Sequence, residues 1–106
     1  MGSIFGVNTL VLQALVRGEA YGLEVASRVE TMTKGETKLG PGRLYPALRS
    51  LEAEGLLTSR VGEPTPERGG RPKVFYKLTA FGAKAAMADR ERGASIFELL
   101  APKASQ

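Results

Sequence analysis

Arg68, Arg71 and Lys73 fall within six positions of one another, in a stretch otherwise made of Gly, Pro, Glu and Thr: Gly62-Glu63-Pro64-Thr65-Pro66-Glu67-Arg68-Gly69-Gly70-Arg71-Pro72-Lys73. Cations this close together can neutralise neighbouring negative groups, and a guanidinium can bind an oxyanion through two parallel hydrogen bonds. Gly69-Gly70 lies between the arginines and adds no side chain, so backbone and cations can approach a charged surface together. A second cationic set lies upstream, at Arg43 and Arg49, with Gly42, Tyr45 and Pro46 interleaved. The chemistry on offer is non-covalent capture of an anionic polymer.

The two sets need elements to hold them. Apolar residues flank the basic stretch: Gly55-Leu56-Leu57-Thr58-Ser59-Arg60-Val61 before it and Val74-Phe75-Tyr76-Lys77-Leu78 after it. Both flanks read as strands, the second with β-branched and aromatic residues at its centre. Pro cannot donate to a ladder and Gly-Gly admits positive φ, so the link bulges out as a loop. Upstream, Gly40-Pro41 opens a helix, since Pro at the first helical position loses only an amide that would be unpaired anyway. Leu44, Leu48 and Leu51, with Ala47 beside them, form its buried stripe, and Gly55 ends it. Advancing about 100° per residue from Leu44 gathers Gly42, Tyr45, Pro46, Arg49 and Ala53 on the opposite side, with Arg43 and Ser50 on one flank.

The remaining segments complete the order. Val7, Leu10, Val11, Ala14 and Leu15 recur at spacings of three and four and predict a first helix over residues 5–17. Leu12 and Val16 fall off that face, so this helix is apolar on more than one side. A second helix starts near residue 20 or 21 and ends near 33, with Val25, Ala26, Val29 and Met32 inward and Glu24, Ser27, Arg28 and Glu30 largely outward. Lys38-Leu39 is a candidate strand of one or two residues. Thr79 is a good N-cap for a fourth helix reaching at least residue 92, with Gly93-Ala94-Ser95 kinking or capping it. Tyr21-Gly22 reads as a packing pair, Gly22 admitting a close helix neighbour.

The fold class is therefore mainly α with a β-hairpin: a winged helix-turn-helix in the order helix, helix, helix, strand, wing, strand, helix. Residues 1–78 form the winged-helix part including the N-terminal helix. Residues 79–106 form a C-terminal dimerisation helix and tail of the same single domain.

Composition narrows the chemistry. A chain of 106 residues suits one domain, burying roughly 65% of the surface its unfolded chain would expose. The formal net charge of +4 suits a polyanionic partner. There are no Cys and no His, which excludes Cys/His zinc sites, thiol redox chemistry, disulfides and imidazole catalysis. No phosphate-binding loop, nucleophile–base pair or metal cluster is present. Glu52 and Glu54 are two apart on a helix and point in different directions, so no enzyme, metal or cofactor is expected. The longest apolar run, residues 9–16, is broken by Gln13 and too short to span a membrane. With no secretion signal evident, the expected setting is cytoplasmic.

These elements give the two cationic sets a target. The N-terminal turns of such a third helix enter a major groove, where Arg49 can bind guanine O6 and N7. Small Gly42 lets backbone approach phosphate, and the helix N-terminus favours an anion. The plain alternative is a solvated helix face, for which Tyr45 and Pro46 are unusual choices. Arg68 and Arg71 reach phosphate or the minor groove and supply affinity more than specificity, with Lys73, Lys38 and Lys34 as further phosphate ligands. The candidate DNA-binding set is thus Lys38, Gly42, Arg43, Tyr45, Pro46, Arg49, Arg68, Gly69, Gly70, Arg71 and Lys73.

At this point the chain resembles the PadR family of transcriptional regulators. The resemblance runs over roughly residues 7–90. It is carried by Ala20-Tyr21-Gly22-Leu23-Glu24-Val25, by Gly42-Arg43-Leu44-Tyr45-Pro46-Ala47-Leu48, by Leu51-Glu52-Ala53-Glu54-Gly55-Leu56, and by the segment from Arg68-Gly69-Gly70-Arg71 to Leu78-Thr79. It implies a winged-helix repressor, usually a homodimer, whose C-terminal helix packs on the partner subunit. The short tail resembles members with a single C-terminal helix. Gly40 stands where the family commonly has a Ser cap, weaker by a few tenths of a kcal/mol, and Arg43 where it commonly has a small residue. The resemblance also implies a small aromatic or lipophilic effector near the dimer interface, for which Phe5, Phe81 and Phe97 are the available rings.

The leading expectation is a homodimeric repressor on a palindromic double-stranded DNA operator, released by a small effector. Its dimer interface is read as Phe5, Leu12, Val16, Phe81, Ala85, Ile96, Phe97 and Leu100, because these apolar residues exceed what one small domain needs to close its core. The alternative is a winged-helix protein-interaction module without DNA binding. An acidic face over residues 42–53 would favour that alternative, yet the acids there, such as Glu52, fall off-centre.

Overall fold

The apolar stripe at the start of the chain folds as α1 (Val7–Ala14). In the computed structural model, residues 6–64 and 72–100 are described, with side chains for 6–63 and 72–91. After α1 come β1 (Ala20–Tyr21), α2 (Gly22–Met32), α3 (Pro41–Ala53), β2 (Leu57–Pro64), β3 (Pro72–Leu78) and α4 (Ala80–Leu100). This is the winged helix-turn-helix order, four helices and a hairpin.

Helix α1 is the hub, since α2, α3 and α4 all pack on it. Leu10, Val11, Leu12, Ala14 and Leu15 are all buried. The expectation that Leu12 serves a dimer interface is therefore corrected: it is 4% exposed within the single chain. Helices of the same chain close on more than one side of α1, so its second apolar face is spent on the chain's own core. The helix also stops earlier than its apolar pattern suggests. Arg28, expected on the solvent side of α2, turns back instead; its Nη1 donates to the carbonyls of Ala14 at 3.0 Å and Gly18 at 2.9 Å. A guanidinium there satisfies carbonyls that have no intrahelical partner.

Residues 20 and 21 do not begin a helix. They form β1, paired antiparallel with β3 as Ala20↔Tyr76 and Tyr21↔Phe75, in a sheet of order β1-β3-β2. The expected strand at Lys38-Leu39 does not form; Leu39 is buried as a loop residue before α3. Along the hairpin, Leu57↔Leu78, Ser59↔Tyr76 and Val61↔Val74 share one face, and Thr58↔Lys77 and Arg60↔Phe75 share the other. Leu57 and Tyr76 are buried, so the first face joins the core.

Thr79 caps α4 as its residue type suggests: its Oγ1 accepts from the Gly82 amide at 3.0 Å and donates to the Gly55 carbonyl at 2.7 Å. Gly82 is buried, and a Cβ on it would run into the Leu56 carbonyl, so α4 leans directly on the segment that follows α3. Gln13 Nε2 donates to the Ala86 carbonyl at 2.6 Å and holds α4 to α1. The helix continues through Gly93-Ala94-Ser95, so the expected cap does not form there; one glycine among good helix formers costs only about 1 kcal/mol.

Candidate nucleic-acid interface

Helix α3 buries Leu44, Ala47, Leu48 and Leu51 and turns Gly42, Arg43, Pro46, Arg49 and Ser50 to solvent. Among the described residues, Arg43 and Arg49 have no ion-pair or hydrogen-bond partner. An unpaired guanidinium on an open face is free to take an external anion or base edge. The N-terminal turn is bare: Gly40 caps without a side chain, and a Cβ added at Gly42 would meet nothing within 4 Å. No neighbour in the fold therefore requires glycine at 42. Pro46 sits inside the helix and has no N–H, so the Gly42 carbonyl lacks the amide that would pair with it four residues on.

Tyr45 departs from the outward set. It is half-buried and packs against the core cluster. At about 100° from Leu44 it stands on the flank of the helix rather than opposite the leucines, and Gly22 leaves room for its ring. A Cβ on Gly22 would lie 2.6 Å from Tyr45 Oη and 2.9 Å from Cε1. The neighbour that Gly22 admits is thus one tyrosine rather than a whole helix.

The flank carrying Tyr45 faces β3. Burial, first, and then the negative charge of Glu52 and the nearby Tyr45 push the Tyr76 phenol above its ordinary range, while Arg49 pulls the other way. Between α2, α3 and β3 lies a cleft of about 300 Å³ lined by Tyr21, Gly22, Leu23, Tyr45, Pro72, Lys73, Val74 and Tyr76. Lys73 Nζ stands 4.4 Å from the centre of the Tyr21 ring, within the range of a cation–π contact. Tyr45 of the third helix and Lys73 of the wing strand thus border the same cleft.

The other expected DNA-binding residues divide into three groups. Arg68, Gly69, Gly70 and Arg71 lie outside the described residues. Lys38 is exposed, with its Nζ 4.0 Å from Glu30 Oε2, a loose surface pair that leaves the ammonium largely hydrated. Lys34 is exposed at the end of α2 in a left-handed backbone conformation with φ 53°. Of the expected interface residues, Val16 and Phe81 are 43% and 62% exposed, and Ala85 packs against the core. Phe5 lies outside the described residues, as do the side chains of Ile96, Phe97 and Leu100.

Sequence reasoning missed Leu23 and Val74 on the cleft and Met87 on α4, all exposed apolar residues. It also missed the contacts on the outer face of the hairpin, where Arg60, Phe75, Tyr21 and Lys73 stack in a row. Alternation along β3 carried a signal for that row, since Lys73, Phe75 and Lys77 share one face.

Residues 11–88 match the PadR-like family of transcriptional regulators. The chain belongs to this family. The proteins of that family are described as transcriptional regulators. It is 32% identical over 83 residues to the transcriptional regulator YqjI of Escherichia coli K12, covering 78% of this chain and 37% of YqjI. The chain thus spans little more than a third of the length of that curated relative. Among solved structures it is similar to a transcriptional regulator from Clostridium thermocellum, at 26% identity and TM-score 0.72 over 89% of this chain and 88% of that one. A PadR-like transcription factor from Bacteroides fragilis aligns at 26% identity and TM-score 0.64, covering 88% and 82% of the two chains. Bacillus subtilis PadR, solved in complex with operator DNA, shares the fold at TM-score 0.66 and 24% identity over 77% of this chain and 45% of that one. Among the described residues, no helix is long and apolar enough to cross a membrane.

Proposed function

We propose that this PadR-family chain binds double-stranded DNA sequence-specifically as a homodimer, represses transcription, and is released by a small aromatic or lipophilic effector. The observation that carries the reading is the shared orientation of two elements. Arg49 on α3 is exposed and has no hydrogen-bond or ion-pair partner among the described residues. Tyr45 and Lys73 border one cleft. The third helix and the wing strand therefore address the same side of the molecule, as a winged helix must to engage groove and backbone together.

In this reading Arg49 and Arg43 read base edges or adjacent phosphates, and bare residues 40–42 let the helix start approach the backbone. Lys38 and the wing cations add sequence-independent affinity. Tyr45 orients the helix start from its flank. Exposed Phe81 and Val16 are the described apolar residues that a second copy would cover. Two-fold pairing sets half-sites about one helical turn apart, and Phe81 is the described ring available to an effector at that interface.

The test is selection of bound fragments from a random duplex pool, followed by gel-shift titration of the winning fragment across salt concentrations. Palindromic winners, a two-chain complex and an affinity falling steeply with salt support the reading. Affinity indifferent to salt, or no enrichment of any sequence, refutes it.

A further inference from the structure

The outer face of the hairpin carries a set of contacts among residues outside the candidate DNA-binding set. Arg60 of β2 grips Glu19, the residue just before β1, in a two-pronged pair: Nε to Oε2 and Nη2 to Oε1 are each 2.7 Å. The same guanidinium lies 4.7 Å above the Phe75 ring of β3. Phe75 in turn meets Tyr21 of β1 edge to face, with ring centres 5.8 Å apart and planes at 77°. The register puts Arg60, Phe75 and Tyr21 in one row across all three strands. Phe75 also closes over Gly62, where a Cβ would stand 2.5 Å from its Cε1. Beyond this row the ladder has an irregularity between Val61 and Pro64, and β1, only two residues long, offers no further pairing. Together with Lys73 over the Tyr21 ring, this row ties the hairpin across to the body.

Glu19 is itself anchored. Arg28 Nη2 donates to the Glu19 carbonyl at 3.5 Å, and its Nη1 holds the preceding Gly18 carbonyl. The hydrogen bond from Arg60 holds the Glu19 carboxyl below its ordinary range. A two-pronged guanidinium–carboxylate pair adds direction as well as attraction.

We propose that Glu19 and Arg60 are positioning residues: their pair, seated on the Phe75–Tyr21 stack, sets the angle of the wing relative to α3 so that both reach one duplex. The proposal rests on the DNA-binding reading and adds that a carboxylate strengthens binding to a polyanion. Glu19 touches no DNA in this arrangement; it acts through Arg60.

The sign of the Glu19→Ala effect decides the matter. That substitution removes one negative charge, taking the net charge from +4 to +5, and Coulomb attraction alone would tighten binding to DNA. Loss of wing positioning weakens it, by about fivefold or more, the lower end of coupling between linked sites. The probe is the duplex selected by the wild-type chain, titrated by gel shift with the full chain, with Glu19→Gln as a milder variant expected to fall between. Arg60→Ala in the Glu19→Ala background should add little further loss and leave the salt dependence unchanged. Equal or tighter binding by Glu19→Ala overturns the proposal. A further loss in the double variant, with a shallower salt dependence, also overturns it, by making Arg60 a phosphate ligand. Amide hydrogen exchange without DNA separates this from the underlying reading. Faster exchange in β2 and β3 of Glu19→Ala, with wild type binding no DNA, would sustain the clamp and sink the DNA role. Unchanged exchange with intact DNA binding would sink the clamp alone.

Discussion

The Tyr45 ring occupies the space in which Gly22 would carry a side chain, so the start of α2 and the flank of α3 interlock through one missing methyl group. Glycine to alanine in a helix ordinarily stabilises by about 0.5–1 kcal/mol. Here Gly22→Ala should destabilise by about 1–3 kcal/mol, the range for overpacking. In a Tyr45→Ala background the same change should become neutral or favourable, because the obstructing ring is gone. Urea titrations of the four proteins make the comparison, and an identical cost in both backgrounds would show that the ring is not the cause.

Pro46 is held against the interest of the helix. It is exposed, lies inside α3 and denies the Gly42 carbonyl its amide. Pro46→Ala should raise unfolding stability by up to about 3 kcal/mol, while affinity for the selected duplex falls. Denaturation and gel shift on the same preparation check both halves. A drop in stability would mean that the proline ring packs against something essential.

Arg49 and Arg71 should behave differently on DNA. Arg49→Ala should cost about 1–3 kcal/mol on the selected duplex and much less on random sequence, as loss of a base contact does. Arg71→Ala should weaken both duplexes alike and flatten the salt dependence by about one counterion. Parallel losses for the two variants on both duplexes would remove the distinction between reading and anchoring.

Tyr76 makes the fold sensitive to alkali. Burial, with Glu52 and Tyr45 nearby, raises its phenol above the ordinary value of 10.0. The folded state therefore favours the neutral phenol. That preference contributes fully below the ordinary value and is lost as pH rises through the raised one. Stability should decline above about pH 10, and Tyr76→Phe should lessen the decline while changing little at neutral pH. Tyrosinate absorbance and urea midpoints across alkaline pH follow it; a mutant that declines as steeply as wild type would assign the effect to another group.

Much of the architecture was legible because its signals are local. Pro41 after Gly40, the leucine spacing of α3, Thr79 before an alanine-rich run, and a Gly/Pro link between β-branched strands each act within a few residues. The errors fall where a partner distant in sequence decides. A two-residue strand such as β1 has no periodicity of its own and exists only because β3 lies beside it. Leu12 looked surplus because an amphipathic pattern counts one face, whereas α1 is covered by helices on several. Arg28 reads as a surface cation until the carbonyls at the end of α1 come within its reach.

The residue types and their spacing were enough to establish the order of elements, the basic character of the wing and the cations of the third helix, since each depends on backbone preference or periodicity within one segment. Tertiary structure alone decided that Tyr45 sits in the notch left by Gly22, that Lys73 shares its cleft, and that Glu19 is gripped by Arg60, 41 positions away. Such contacts depend on how whole elements approach one another, and close packing selects that approach from the shapes of side chains that are not neighbours in sequence.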